Sequence, residues 1–176
     1  MLKEVRKHIN PYKKEWINTR DTNCYLYALG LDVKPSQFDN MFRFYPGTFI
    51  GETLGATFTT EKLLSNLEGD LKTLGIDYIE VNPKYIINRI NGEWKIAVMV
   101  TRENKPEHTD FHFLRQTEKG IWYHKDGFKG KPTDIDSYHR RIVDPSKAII
   151  DDSGFYTKHI YEYVKTYCLR KVNKNI

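Results

Sequence analysis

Leu63, Leu64, Leu67, Leu71 and Leu74 recur at helical spacing, and Gly75 stands where such a helix would stop. A helix with one apolar stripe must lay that stripe on another element. The runs after Gly75 supply a sheet. Ile76-Asp77-Tyr78-Ile79-Glu80-Val81 alternates like a strand, and Trp94 to Thr101 is almost wholly apolar, as a strand buried on both faces would be. Thr109 to Gln116 alternates again, and Gly120 to His124 returns after a turn at Thr117-Glu118-Lys119-Gly120. A closing strand is expected over about residues 160–170; helix competes there, because Tyr163, Tyr167 and Arg170 also suit one helical face. Helices first and a mostly antiparallel sheet afterwards make an α+β class.

The front of the chain is less regular. Residues 1–20 read as a polar lead-in, with a short helix over Leu2 to Ile9 ended by Pro11. Asp21 or Thr22 can cap a short apolar helix from Cys24 to Leu29, stopped by Gly30. From Asp32 to Thr57 periodicity is lost among glycines, prolines and five aromatics, an aromatic loop that is either functional or draped over the core. No Gly-Lys-Ser/Thr follows its glycines, which excludes a phosphate cradle. Thr59 or Thr60 caps the leucine helix, within which Gly69 should cost about 1 kcal/mol relative to Ala. Pro83 is expected to open a short helix through Ile86, Ile87 and Ile90, before an Asn91-Gly92 turn. Loops fill 126–137, and Asp144-Pro145 marks another turn. No repeat or boundary divides the 176 residues, so one domain over 1–176 is expected, with 171–176 a frayed tail.

Composition narrows the function classes. Hydrophobic residues are 39% of the chain, enough for one core. The net charge is +5 and the pI about 9.0, but Lys and Arg are scattered, which reads as a solvated surface; nucleic acid is not an expected partner. Cys24 and Cys168 are too few for a disulfide framework, and no CxxC or zinc-type Cys/His spacing occurs. The charged start Met1-Leu2-Lys3-Glu4 has no apolar h-region, and no run is long enough to cross a bilayer. A cytoplasmic location without membrane partners is therefore expected, and neither metal nor cofactor is called for.

Chemistry concentrates at three residues. Cys24 would lie in the first turn of its helix, where the dipole and unpaired N–H groups lower a thiol pKa and can hold an oxyanion. Asp110, His112 and Leu114 would share one strand face, Phe111 and Phe113 the other. The phenylalanines would anchor the strand and aim His112 at the helix that carries Cys24, where it could take the thiol proton or form a thiolate–imidazolium pair. His108, in a polar turn, is a rival base. A base needs an orienting group, and His124, on the adjoining strand, is the first candidate; Asp110, Asp126 and Asp144 are alternatives. His8, His139 and His159 sit in polar or tail contexts and read as surface residues.

Asn23-Cys24 at a helix start, then Phe111-His112-Phe113 and Trp122-Tyr123-His124-Lys125 on successive strands, resembles the papain-like superfamily, closest in pattern to its NlpC-type branch of thiol amidases and peptidases. The resemblance covers the Cys24 helix and roughly residues 94–145, and implies helices packed on a mostly antiparallel sheet. It makes Cys24 the nucleophile, His112 the base and His124 the orienting residue. Papain-like enzymes often place a glutamine oxyanion donor six residues before the cysteine, where this chain has Asn18. Asn23 is a second oxyanion candidate, and it replaces the branch's usual Asp before the cysteine.

The expected function is thus a cysteine peptidase or amidase that opens an amide or isopeptide bond through a thioester, on a peptide or amide substrate. The rival is a non-catalytic binding or inhibitor protein, of bacteriophage type, that uses the same fold as a scaffold for a protein partner.

Overall fold

Gly75 adopts a left-handed conformation (φ 69°) that ends helix α3 (Thr60–Leu74) and turns the chain into strand β1 (Ile76–Val81). That junction holds in the computed structural model, which describes residues 2–12, 22–31, 44–101, 109–127, 130–153 and 158–172. Thr59 caps α3 by accepting from Lys62 N–H, and Leu63, Leu67, Leu71 and Leu74 are all buried. Gly69 lies against Ile50. Its missing side chain admits Ile50, whose Cδ1 would lie 2.9 Å from any Cβ there.

Two short helices, α1 (Leu2–Lys7) and α2 (Cys24–Leu29), precede α3. The other strands are β2 (Glu93–Thr101), β3 (Phe111–Gln116), β4 (Trp122–His124), β5 (Ile150–Ser153) and β6 (Lys158–Lys171). They pair antiparallel in the order β1-β6-β2-β3-β4, with β5 added alongside the start of β6. The architecture is α+β, and the closing segment is strand, not helix, because it pairs with both β1 and β2.

Strand β2 is buried on both faces. Trp94, Ile96 and Val98 join the helices, with Phe113, Tyr167 and Leu169, in the larger core, where Trp94 Nε1 donates to Ala28 O at 3.1 Å. Ala97 and Met99 face a smaller cluster with Leu114, Trp122, Ile150 and Tyr161. A bulge decides which tyrosines go where. Val98 pairs with Lys165 but Met99 with Tyr163, so Val164 is an extra residue and the side-chain alternation of β6 inverts across it. Tyr167 thus lies under the helices while Tyr161 lies on the opposite face.

One expected element is missing and one unexpected strand is present. The short helix after Pro83 does not form: the Pro83 and Tyr85 carbonyls, which a helix would pair internally, accept from the buried Lys95 ammonium instead, and only a 3₁₀ turn follows at Arg89–Asn91. Strand β5, unmarked in the sequence, forms because β6 is longer than expected and offers it an edge. Among the described residues, no helix is long and apolar enough to cross a membrane.

Candidate active site

The residue that caps α2 is Asn23, rather than Asp21 or Thr22. Its Oδ1 accepts from Leu26 N–H at 3.0 Å and its Nδ2 donates to Phe44 O, so the cap also fastens the aromatic segment to the helix end. Both ends of this side chain are thereby engaged in structure. Cys24 is the first residue of the helix. Asn18 and His108 lie outside the described residues.

Helix α2 does not pack on the His112 face of β3. Tyr25 meets the Phe113 ring at 5.2 Å, and Arg115 donates to Tyr27 O at 2.7 Å with its guanidinium over the Tyr27 ring, all from the opposite face. Cys24 reaches the site at the strand edge. Strand β4 stops at the Leu114–His124 pair, and just beyond it the Phe113 N–H turns to the Cys24 sulfur. Cys24 and His112 then line one cleft of about 760 Å³ with Asp110, Asp126 and Tyr161.

His112 Nε2 lies 3.0 Å from His124 Nδ1, and His124 Nε2 lies 3.0 Å from Ile135 O. A carbonyl only accepts, so His124 Nε2 carries a proton, and in neutral His124 the Nδ1 is a lone pair that accepts from His112 Nε2–H. Any proton exchanged with the thiol must therefore pass through His112 Nδ1. Asp126 Oδ1 stands 3.3 Å from the same His124 Nδ1, ready to receive an N–H if His124 gains a second proton. In that doubly protonated state the Nδ1–H bond from His124, the largest influence on this carboxyl, holds Asp126 below its usual range.

Of the alternative orienting residues, Asp126 joins the histidine pair. Asp110 is engaged by Tyr161, whose hydroxyl donates to it at 2.7 Å, and Asp144 caps the Pro145–Lys147 turn through Ser146.

The electrostatics oppose the expected thiolate. Burial, with Asp110 adding to it, pushes the Cys24 thiol up to about 12, against a smaller opposing pull from the Phe113 and Tyr25 N–H groups. Burial and the adjacent His124 push His112 down to about 3. At neutral pH the pair is thiol and imidazole, not thiolate and imidazolium. General-base transfer as the sulfur attacks requires the thiol to come within hydrogen-bond reach of His112 Nδ1. Cys168 lies apart on β6, buried against Lys95 in the register, its thiol also raised by burial.

Two contributors escaped the sequence. Tyr161 lies tilted against the His112 ring, with centroids 5.2 Å apart, while His124 meets that ring edge-on; it stood inside an expected strand, but only the bulge gives it this face. Ile135 acts through a backbone carbonyl, which no residue type signals. A groove of about 930 Å³ beside Ile86, Ile90 and Val143 carries no nucleophile–base pair.

Comparison with protein-family models, curated proteins and solved structures finds no match for this chain.

Proposed function

We propose that the chain is a papain-like thiol hydrolase in which Cys24 attacks an amide or isopeptide carbonyl. As the S–C bond forms, His112 Nδ1 takes the thiol proton and then gives it to the departing amine, leaving a thioester. Water resolves the thioester in a hydrolase, an amine in a transferase. His124, fixed by Ile135 O, holds the His112 ring; the Cys24 N–H, with Asn18 as a second candidate, would receive the oxyanion. The observation that carries this reading is the His112 Nε2 to His124 Nδ1 contact of 3.0 Å in the cleft that Cys24 shares.

The test is acylation by p-nitrophenyl esters, followed by intact-protein mass spectrometry. One acyl group should appear on Cys24, disappear in Cys24→Ala, and form about 10²–10⁴-fold more slowly in His112→Ala. Equal acylation of wild type and His112→Ala would refute the mechanism.

A second reading has one observation behind it. Cys24 and His112 are only 7% and 5% exposed, and both are neutral, as in a site that has become packing for a binding protein. A folded chain that takes up no acyl group favours that reading.

A further inference from the structure

We propose that His112, His124 and Asp126 bind a divalent transition-metal ion, Zn²⁺ foremost, and that the filled site shuts the thiol chemistry off. The metal site stands on geometry alone; its regulatory effect rests on the thiol-hydrolase reading.

The three donor atoms lie within 4.8 Å of one another. The two closest approaches are 3.0 Å between His112 Nε2 and His124 Nδ1, and 3.3 Å between His124 Nδ1 and Asp126 Oδ1. A tetrahedral ion with bonds of about 2.0–2.1 Å sets its donors about 3.3–3.4 Å apart, which these two separations approach, and the exposed Asp126 side chain is the one free to swing in and close the third. Two imidazoles and one carboxylate select zinc-like ions over magnesium or calcium, which prefer all-oxygen shells.

The surroundings also suit a metal. A ligating histidine is normally oriented by an outer hydrogen bond from its other nitrogen, and His124 Nε2 has that bond to Ile135 O at 3.0 Å. Both imidazoles are buried, whereas the Asp126 side chain is 74% exposed and lines the cleft, which gives an ion a way in. The neighbouring Lys125 ammonium donates to Gly127 O at 2.7 Å. Three donors leave a fourth position for water, as in open zinc sites.

Metal and proton compete for the same atoms. Ligation needs a lone pair on His112 Nε2, so the ring's proton must move to Nδ1. Nδ1 is the nitrogen that has to be bare to take the thiol proton. A filled site therefore has no base: the ring's Nε2–H bond is exchanged for an Nδ1–H bond, lone pairs bind the ion, and no oxidation state changes.

The experiment titrates the chelator-treated full chain with Zn²⁺ against a chromophoric chelator, with circular dichroism to verify folding. One ion per chain is expected, with binding at least about tenfold weaker in Asp126→Ala, lost in His124→Ala and unchanged in Cys24→Ala. Absence of 1:1 binding, or binding that survives both ligand variants, overturns the site; loss in Cys24→Ala overturns this donor set. In parallel, p-nitrophenyl ester acylation should fall with Zn²⁺ occupancy, return on adding EDTA, and need proportionately more Zn²⁺ in Asp126→Ala. Acylation that ignores a bound ion overturns the regulation only. No acylation at any metal level overturns the hydrolase reading, while the titration still decides the site.

Discussion

Tyr25 Oη donates to Asp70 Oδ2 at 2.7 Å, tying the residue after Cys24 to the C-terminal half of α3. The same fully buried carboxylate accepts from the N–H groups of Gly47, Phe49 and Ile50 at 2.7, 2.8 and 3.0 Å. One side chain thus sets three things relative to one another: the nucleophile's helix, the aromatic segment that walls the cleft, and the long helix beneath both.

Asp70→Ala should therefore be among the most damaging single changes. It leaves a buried hydroxyl and three backbone donors without their acceptor, each worth about 1–3 kcal/mol when unsatisfied, partly relieved by entering water. A loss of about 3–5 kcal/mol is expected, read by urea unfolding. Asp70→Asn should fall between, since its amide restores one acceptor and faces the other donors with N–H. A loss below about 1 kcal/mol for Asp70→Ala would show that the staple is dispensable.

Periodicity made α3 and β2 legible, because α3 buries a whole stripe and β2 both faces and so each writes its spacing into the sequence; β1, in which only Ile76 is buried, was legible from its alternation. The Cys24, His112 and His124 pattern was legible as residue types on expected elements. What stayed hidden was set by other means. The Val164 bulge turned Tyr161 toward His112 through a register slip that no side chain announces. Lys95 dissolved the helix after Pro83 by taking its carbonyls from across the sheet. The thiol's pKa went the other way because burial outweighs a six-residue helix's dipole.

Reactivity at Cys24 should follow from that burial. With the thiol pushed up to about 12, iodoacetamide labelling should climb about tenfold per pH unit from pH 6 to 10, without an acid shoulder or plateau. Peptide mass spectrometry reads Cys24 and Cys168 separately. A labelling plateau below pH 8 at Cys24 would reveal a thiolate that this environment does not support.

Stability should decline in mild acid because of His112. Its folded pKa, about 3, lies below the unfolded value of about 6.5, so the unfolded chain binds a proton that the folded site refuses. The sign follows: stability is whole above about pH 6.5 and falls by up to about 1.4 kcal/mol per pH unit on the way to pH 3. His112→Gln should flatten the urea-midpoint profile between pH 6 and 4. An unchanged slope would mean that His112 is protonated in the folded chain.

Arg115→Lys tests how α2 is held to β3. Arg115 is buried, donates to Tyr27 O at 2.7 Å and lies with its guanidinium carbon 4.1 Å from the Tyr27 ring centroid. A lysine keeps the charge but not the planar group that bonds and stacks at once. A loss of about 2–3 kcal/mol in urea unfolding is expected. A neutral effect would show that Phe113 and Tyr25 alone seat the helix.

Asp136 carries the last expectation, because it fixes the carbonyl that orients His124. It follows Ile135, and its carboxylate accepts from the N–H groups of Tyr138, Arg140 and Ile149 and from the Arg140 guanidinium at 2.7 Å. Burial alone would raise this carboxyl, but the Arg140 guanidinium and those N–H groups outweigh it and hold the group down to about 2. A depressed carboxyl contributes stability above its unfolded value near 3.9 and loses it as pH falls toward 2, so this anchor should be intact wherever the thiol chemistry runs. Asp136→Ala should then let Ile135 O drift and His124 rotate. Under the proposed mechanism the acylation rate at saturating ester should drop about 10–100-fold with KM little changed, since the ester meets Cys24 and not this loop. Asp136→Asn, which retains one acceptor for the backbone N–H groups, should recover part of the rate. If KM rises while the saturated rate holds, Asp136 shapes the cleft and does not act through His124.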